Sequence, residues 1–355
     1  MTLELQDVAK EVGGQTHIHR TSLTLAQSGF NVLLGATGAG KTTLMKLMAG
    51  LEQPTGGRIL IDGRDVTEIS PQRRNVSFVH QFFINYPNMT VRENIASPLR
   101  IQRLPRAEIE RRVEETAALL RLTPMLKRRP SELSGGQQQR TALARAIVKD
   151  ARLVLLDEPL ANLDYKLREE MREELPKLFE GRGTVVVYAT SEPHEALLLG
   201  GHVATMHEGR VTQFGRTAET YRRPKTLQTA RVFSDPPINV GEVVKEGAVL
   251  SLDGHARWPA SGAVAAMPDG SYRMAVRPHH VAPAPIGAAA VPLQGSVLLS
   301  ELSGSESVAH FRFGDRTWVS QSHGVHPYRL GEPHTFYLDP SGHLYFDRDG
   351  NLVAA

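Results

Sequence analysis

The sequence predicts two domains, an α/β domain followed by an all-β domain. Four short and nearly continuous apolar runs alternate with helical patterns, as expected for strands that a parallel sheet buries on both faces. The runs are NVLLG (31–35), VSFVH (76–80), LVLLDE (153–158) and TVVVYAT (184–190). Their alternation with helices predicts an α/β sandwich with a parallel core sheet.

Helical periodicity fills the intervals between these runs. The patterns are KTTLMKLMAG (41–50), AEIERRVEETAALLRL (107–122) and DYKLREEMREELPKLFEG (164–181). The long interval of about 88–150 indicates a helical subdomain inserted between the second and third runs.

The character of the chain changes near residue 235. Glycine and proline become frequent there and helical patterns stop. Short runs typical of barrel or sandwich strands follow, namely YRMAVRP (272–278), SVAHFRFG (307–314), HTFYLD (334–339) and HLYFD (343–347). We therefore expect an α/β domain over 1–235 and a β-barrel domain over 236–355.

Composition excludes several classes of protein. The 355 residues contain 41 basic and 38 acidic side chains, a net charge of +3, so no polycationic surface indicates a nucleic-acid partner. Cysteine is absent, which excludes disulfides and cysteine-based metal sites. The N-terminus does not have the pattern of a signal peptide, and no run approaches the roughly 20 apolar residues of a membrane helix. We expect a soluble or peripheral protein.

The segment GATGAGKTT (35–43) fits the phosphate-loop pattern G-x-x-x-x-G-K-[ST], with a strand before it and a helix after it. Glycines allow backbone amides to turn toward phosphate oxygens, and a helix N-terminus favours an anion. Lys41 is expected to reach the β- and γ-phosphates of a nucleotide, and the Thr42 hydroxyl to bind Mg²⁺. The alternative is a glycine-rich turn with a chance lysine. The candidate nucleotide-binding residues are Gly35, Ala36, Thr37, Gly38, Ala39, Gly40, Lys41, Thr42 and Thr43.

Two carboxylates close the apolar run LVLLDEP (153–159). Asp157 is expected to hold Mg²⁺ through water, and Glu158 to orient or deprotonate the water that attacks the γ-phosphate. The alternative is that both acids only cap the end of a strand. The phosphate loop earlier in the sequence makes this the minor interpretation.

The segment LSGGQQQR (133–140) predicts a second anion site rich in backbone amides. One nucleotide needs only one phosphate loop, so the second site suggests a nucleotide held by another subunit. An ordinary N-capped helix is the alternative, because serine is a good cap. The candidates for contact with the partner's ATP are Ser134, Gly135, Gly136 and Gln137.

Together these segments resemble the nucleotide-binding ATPase subunit of ABC transporters across 1–235. Gln81 in FVHQ matches the family's loop glutamine, which implies contact with Mg²⁺ and a role in catalysis and in sensing membrane subunits. YPNMTVRENI (86–95) and LANLD (160–164) match its neighbouring loops. The resemblance implies a P-loop ABC ATPase fold with an antiparallel β subdomain. It also implies a head-to-tail dimer with two sandwiched ATP molecules, docked onto two transmembrane permease subunits.

The C-terminal segments narrow the family. FSDPPINV (233–240), MAVRPHHV (274–281) and HLYFDRDG (343–350) resemble the OB-like, TOBE-type regulatory tail of maltose-type importer ATPases. The resemblance implies an importer on the cytoplasmic face of a bacterial membrane, working with an extracytoplasmic solute-binding protein. A sugar or polyol is the expected solute, glycerol or a glycerol phosphate first; polyamine and ferric-iron importers are alternatives. His279 and His280 argue against a metal site, because adjacent residues of a strand point to opposite faces.

The sequence departs from the family at two positions. Ser191 in TSEPHEA stands where the family has the histidine that contacts the γ-phosphate, and His194 is expected in the following helical turn. Val12 stands where an aromatic residue usually stacks on adenine. YATSEPHEALLLGG (188–201) further resembles the glycerol-importer subgroup, which uses two unlike ATPases.

Both departures weaken the site that this chain's own phosphate loop forms. We therefore expect a heterodimer with a second ATPase, or else a homodimer that hydrolyses slowly. A mainly regulatory subunit that binds nucleotide without turning it over is a further alternative. A soluble ABC ATPase acting on DNA or ribosomes is the other class, and the single motif set and the barrel tail argue against it.

Overall fold

The computed structural model describes residues 1–26, 30–161, 163–285, 287, 289–340 and 342–355. These residues form two compact units, Met1–Thr217 and Ala218–Ala355. No helix within the described ranges is both long and apolar enough to cross a membrane. Asn162, the central residue of LANLD, lies outside the described residues.

The first unit combines ten strands with most of the helices. Its strands are β1 (Thr2–Val12), β2 (Gln15–Ala26), β3 (Phe30–Leu34), β4 (Gly56–Ile61), β5 (Arg64–Asp65), β6 (Val76–Val79), β7 (Leu153–Asp157), β8 (Val185–Thr190), β9 (His202–His207) and β10 (Arg210–Arg216). Its helices are α1 (Lys41–Ala49), α2 (Val91–Ile101), α3 (Arg106–Leu119), α4 (Gly135–Val148), α5 (Tyr165–Phe179) and α6 (Pro193–Leu199). Short 3₁₀ turns cover Pro71–Arg73, Thr123–Met125 and Pro130–Glu132.

The predicted parallel core sheet is confirmed. Its strand order is β10-β9-β3-β8-β7-β6, with every neighbouring pair parallel except β9 and β10. Strands β3, β7 and β8 are buried at every residue, which explains their continuous apolar sequences. Because parallel strands align their carboxyl ends, the loops after β3, β7 and β8 lie along one edge of the sheet.

A second, antiparallel sheet of the same unit has the order β2-β1-β4-β5. Its inward residues share one apolar core with helix α1 and the parallel sheet, among them Leu5, Ile18, Leu44 and Leu155. This core fixes α1 directly after the loop that ends β3. Burial of its apolar area is the main favourable term that holds the two layers together.

Helices α2, α3 and α4 form the helical insertion expected from the sequence. Helix α2 begins with a capping box between Thr90 and Glu93, which satisfies two backbone donors at its first turn. The fully buried Asn94 bonds the backbone of Tyr86, Met89 and Thr90, and so fixes the loop that precedes the helix.

The second unit is built almost entirely of strands, as predicted. The strands are β11 (Asn239–Glu246), β12 (Val249–Leu252), β13 (Ala256–Pro259), β14 (Gly270–Val276), β15 (Val281–Ala282), β16 (Val291–Leu302), β17 (Glu306–Phe313), β18 (Arg316–His323), β19 (Pro333–Leu338), β20 (Leu344–Phe346) and β21 (Leu352–Ala354). Two short helices, α7 (Thr217–Arg222) and α8 (Leu227–Val232), precede them, and 3₁₀ turns cover Gly262–Ala266 and Pro278–His280.

These strands form two antiparallel sheets, with orders β13-β12-β11-β14-β20-β21 and β15-β19-β16-β17-β18. Side chains from both sheets meet in one core, including Trp258, Met274, Phe311, Trp318 and Phe336. The two-sheet arrangement around a shared core is close to a barrel, which agrees with the predicted OB-like domain.

The compact units divide earlier than the domain boundary that we predicted near 235. Leu227 and Ala230 of α8 pack with Ala275, Leu344 and Phe346 of the β-rich unit. The Leu227 amide also donates to the Gly350 carbonyl at 2.8 Å. The segment 218–235 therefore folds with the second unit, and the functional boundary at 235 remains a prediction.

The structure contradicts our expectation that His279 and His280 lie in a strand. Strand β14 ends at Val276, and Pro278 starts a 3₁₀ turn that carries both histidines. Their rings lie 4.4 Å apart and do not point to opposite faces. Proline supplies the dihedral angle of the first position of a turn, which explains the early end of the strand.

Candidate functional site

The loop after β3 has the conformation that a phosphate loop requires. Gly38 and Gly40 have φ values of 83° and 97°, in the left-handed region that other residues avoid. A Cβ on Gly35 would lie 2.5 Å from the Met206 carbonyl oxygen, so only glycine fits there. Helix α1 begins at Lys41 and no side chain caps it, which leaves its first amides for an anion.

Lys41 is buried and aimed along the loop. Its ammonium donates to the carbonyl oxygens of Gly35 at 2.7 Å and Ala36 at 3.2 Å. It also lies 3.4 Å from a carboxylate oxygen of Glu158. The Gln81 amide donates to the other oxygen of that carboxylate at 3.0 Å. Three predicted site residues from three loops thus meet at one point.

The carboxyl group of Asp157 lies beneath this point, at the end of β7. The Thr42 hydroxyl donates to its two oxygens at 2.9 and 3.1 Å. Burial raises the pKa of Asp157 above its ordinary value, while the Thr42 bond and the nearby Lys41 charge act in the opposite direction. A bound cation would favour the ionised form of this carboxyl.

Glu158 leaves the strand in an unusual backbone conformation. Its φ of 46° lies in the left-handed region, and its amide donates to the Ala189 carbonyl of β8 at 3.0 Å. That turn directs the side chain toward Lys41 while Asp157 stays in the sheet. Strained backbone of this kind is concentrated at functional sites.

A cavity of about 440 Å³ opens over these groups. Predicted residues in its lining include Gly38, Lys41, Thr42, Gln81 and Glu158. Its remaining wall consists of residues that we did not predict from the sequence, namely Gln15, Thr16, His17, Glu208 and Gly209. A volume of this size is within the range of small-molecule sites.

Val12 is not among the described residues that line this cavity. It lies half exposed at the tip of the β1–β2 hairpin, paired with Gln15. The exposed His17 two residues further along β2 lines the cavity instead. The only signal for it in the sequence is an imidazole in a strand that otherwise alternates, which is too weak to identify a site.

Ser191 follows directly on β8 at the edge of the phosphate loop. The last residue of β8, Thr190, is in register with Leu34, and its carbonyl accepts from the Gly35 amide at 3.3 Å. Ser191 is exposed and does not line the cavity, and His194 is exposed in the first turn of α6, as expected.

The segment 134–137 lies apart from the cavity and forms a regular helix start. The Ser134 hydroxyl accepts from the Gln137 amide at 3.4 Å, and the Gln137 side chain accepts from the Ser134 amide at 3.1 Å. None of these four residues lines the cavity. The N-capped helix and the anion site, which we gave as alternatives, are therefore compatible, because a capped helix start can also present amides to an anion.

Comparison with known proteins agrees with this geometry. Residues 18–161 match the family model described as ABC transporter. The sn-glycerol-3-phosphate import ATP-binding protein UgpC of Burkholderia mallei (strain ATCC 23344) is 39% identical over 352 residues, 97% of this chain and 96% of that protein. The chain belongs to the ABC transporter family. UgpC of Escherichia coli (strain K12) is also 39% identical, over 320 residues, 89% of each chain.

Solved structures of the family agree as well. A dimeric post-hydrolysis state of the ATP-binding cassette MJ0796, bound to ADP and Pi, matches with a TM-score of 0.56 and 28% identity. The match covers 61% of this chain and 98% of that one. The ABC ATPase fold, the ATPase activity and the use of ATP with Mg²⁺, all expected from the sequence, are thereby confirmed.

The residues present fit both groups. The uncapped start of α1, the left-handed glycines and Lys41 suit a polyphosphate. The oxygen donors of Thr42 and Asp157 are the ligand type that Mg²⁺ prefers, and so few protein ligands suit an ion that retains water and phosphate oxygens.

Proposed function

We propose that this chain is the ATP-hydrolysing subunit of an importer for a carbohydrate or polyol, with a glycerol phosphate as the favoured solute. The observation that carries the proposal is the convergence of Lys41, Gln81 and Glu158 over the Thr42–Asp157 pair. The names of the relatives, which are import ATP-binding proteins for sn-glycerol 3-phosphate, support the direction of transport and the solute class.

Each group has one chemical task at the phosphate end. Lys41 and the amides of the loop hold the β- and γ-phosphates and offset their charge. Thr42, Asp157 and Gln81 would hold Mg²⁺, which supplies further charge neutralisation when it is bound. Glu158 accepts a hydrogen bond from the attacking water and aligns it with the γ-phosphate. Ser191, which is exposed beside the phosphate loop, would donate one hydrogen bond to the γ-phosphate.

The opposite end of the cavity would take the base and ribose. Val12 is the position expected from the family, and His17, Gln15 and Thr16 form the wall that lines the cavity there. Ser134, Gly135, Gly136 and Gln137 would contact the ATP that a second ATPase subunit holds. This arrangement needs a dimer, either of two such chains or of two unlike ATPases.

A groove next to Gln81 supports docking onto membrane permeases. A cavity of about 390 Å³ lies between the loop after β6 and helices α2 and α4. Ile84 and Ile101 line it and are 65% and 80% exposed, which is unusual for isoleucine. We assign this groove to a cytoplasmic segment of a permease subunit, and thus place the chain peripherally on the cytoplasmic membrane face.

Affinity purification of the tagged full-length chain from native membranes tests the proposal. Two permease subunits are expected with it, and loss of both in an Ile84→Asp/Ile101→Asp variant that still binds ATP. The control is Leu298→Asp/Leu302→Asp, a pair of leucines that are 40% and 56% exposed and do not line the groove. Recovery of the chain without membrane subunits would contradict the importer function.

The ATPase partner recovered in the same experiment separates the two dimers. A second, unlike ATPase would make the site at Ser191 one half of an asymmetric pair. Two copies of this chain would mean that both sites hydrolyse ATP with serine in that position. The transported solute is identified by comparing the uptake of labelled sn-glycerol 3-phosphate with the uptake of a labelled polyamine and of ferric iron.

A further inference from the structure

A charged side-chain network lies behind Ser191 and joins two loops of the site. We infer that Arg168 and Glu192 form a positioning pair, which fixes the chain after Glu158 relative to the chain after β8 and so sets the catalytic rate. This inference rests on the proposed function, since it assigns the pair to ATP hydrolysis.

Arg168 fixes the loop that follows Glu158. One guanidinium nitrogen donates to the carbonyl oxygens of Ala161 at 3.1 Å and Leu163 at 3.4 Å. The Ala161 amide in turn donates to the Glu158 carbonyl at 3.3 Å. Arg168 therefore acts on the turn that gives Glu158 its left-handed backbone.

The other terminal nitrogen of Arg168 connects this loop to the segment that carries Ser191. It donates to a carboxylate oxygen of Glu192 at 3.0 Å. The Glu192 amide donates to the Thr190 hydroxyl at 3.0 Å, so both neighbours of Ser191 in the chain are held. Because the Arg168 fork is planar and rigid, its two sets of bonds maintain a fixed separation between the loops.

A buried set of hydrogen bonds anchors the Glu192 end of the pair. The second oxygen of Glu192 accepts from Arg172 at 2.6 Å. Arg172 also contacts Glu195, which is 4% exposed and accepts from the hydroxyls of Tyr188 at 2.9 Å and Thr190 at 2.7 Å. Such a satisfied polar network is rigid, so the position of Glu192 is well determined.

The ion pair between Arg168 and Glu192 is too exposed to contribute much to folding stability. Arg168 is about a quarter exposed and Glu192 is 41% exposed. Exposed ion pairs add little to stability, because solvent screens them. Breaking this ion pair should therefore lower kcat, because the two loops lose their fixed separation, but leave the melting temperature almost unchanged.

The test is steady-state ATP hydrolysis by the purified complex of this chain with its ATPase partner, carrying Arg168→Met in this chain. We expect kcat to fall on the order of 10-fold, with KM for ATP and Tm near those of the wild type, since small misplacement of reacting groups is costly. Glu192→Gln, which keeps its shape, should reproduce the effect. The double variant should lose less activity than the product of the two single effects, because the bond between Arg168 and Glu192 is common to both.

Arg121→Met is the matched control. It breaks an exposed ion pair of 2.7 Å with Glu170 on the same helix, α5, away from the two loops. A wild-type kcat in Arg168→Met, a kcat loss that Arg121→Met shares, or a matching loss of Tm would each overturn the inference. If the wild-type complex does not hydrolyse ATP, the proposed function itself fails; if it does and the Arg168→Met complex equals it, only the pair fails.

Discussion

The two ends of the nucleotide cavity are built in different ways. At the phosphate end, Lys41, Thr42, Asp157 and Glu158 come from buried strand ends and a helix start, and their side chains contact one another. At the other end, exposed residues of a hairpin, with His17 among them, line an open wall. The two positions at which we expect departures from the family, Val12 and Ser191, are exposed and lie outside the cavity lining, Val12 on the hairpin and Ser191 at the edge of the phosphate loop.

The largest effect should follow Glu158→Gln, which breaks the phosphate end. The amide keeps the shape but cannot act as base or orient water as a carboxylate does, so kcat should fall about 100-fold or more while ATP still binds. The measurement is phosphate release, with ATP binding followed by calorimetry. Glu208→Gln, an exposed carboxylate of the same cavity, should leave kcat near the wild type. Equal activity in both variants would favour the regulatory alternative.

A smaller effect is expected from Ser191→His, which introduces the histidine that the family resemblance implies at this position. Imidazole is longer than a hydroxyl and can donate as a cation, so kcat should rise about 10-fold. Phosphate release under saturating ATP measures it, and His194→Ala should have little effect. A lower or unchanged rate would mean that other groups already do the work of the histidine.

At the base end, His17→Ala should weaken ATP binding by a factor of about 2 to 12, the equivalent of one lost aromatic contact of about 0.5–1.5 kcal/mol. Calorimetric titration in the Glu158→Gln background isolates binding from hydrolysis. Val12→Ala should leave the Kd unchanged, because Val12 lies outside the cavity lining. The reverse pattern would place the base against Val12, as the family resemblance implies.

The smallest effect concerns stability at the phosphate end. Burial raises the pKa of Asp157, so above the ordinary pKa of aspartate the folded state binds a proton more readily than the unfolded state. The free energy of unfolding therefore falls as the pH rises from the ordinary pKa of aspartate through the raised pKa of the folded state. Asp157→Asn should raise the Tm of the nucleotide-free chain at pH 7 and reduce the gain in Tm from Mg-ATP, because Lys41, Thr42 and Gln81 remain. An equal or lower Tm would show that the Thr42 bond outweighs burial.

The sequence was sufficient wherever an element of the fold or of the candidate site consists of contiguous residues. The phosphate loop, the acidic pair and the buried strands were predictable, because burial on both faces and a turn between strand and helix leave local patterns. Residues that join the site through tertiary contacts leave no such pattern. His17, Glu208 and the link from Arg168 to Glu192, which are 24 positions apart, belong to this class.

The 3₁₀ turn that carries His279 and His280 is a feature that the sequence analysis predicted wrongly. Pro278 could have indicated it, because a proline favours the start of a turn and cannot donate within a sheet. The apolar run before it outweighed that signal in our interpretation. The early end of the first compact unit at Thr217 depended on packing of α8, which no local pattern encodes.

The phosphate end of this chain, completed by the second ATPase subunit of the dimer, should hydrolyse ATP even with serine at position 191. Single-turnover hydrolysis of radiolabelled ATP by the purified complex of this chain with its ATPase partner, with Mg²⁺ and with a chelator, tests this central claim most directly. We predict release of phosphate that depends on Mg²⁺ and on Glu158. Tight binding of ATP without any release of phosphate, at every concentration of the chain and with the purified permease complex, would contradict the claim.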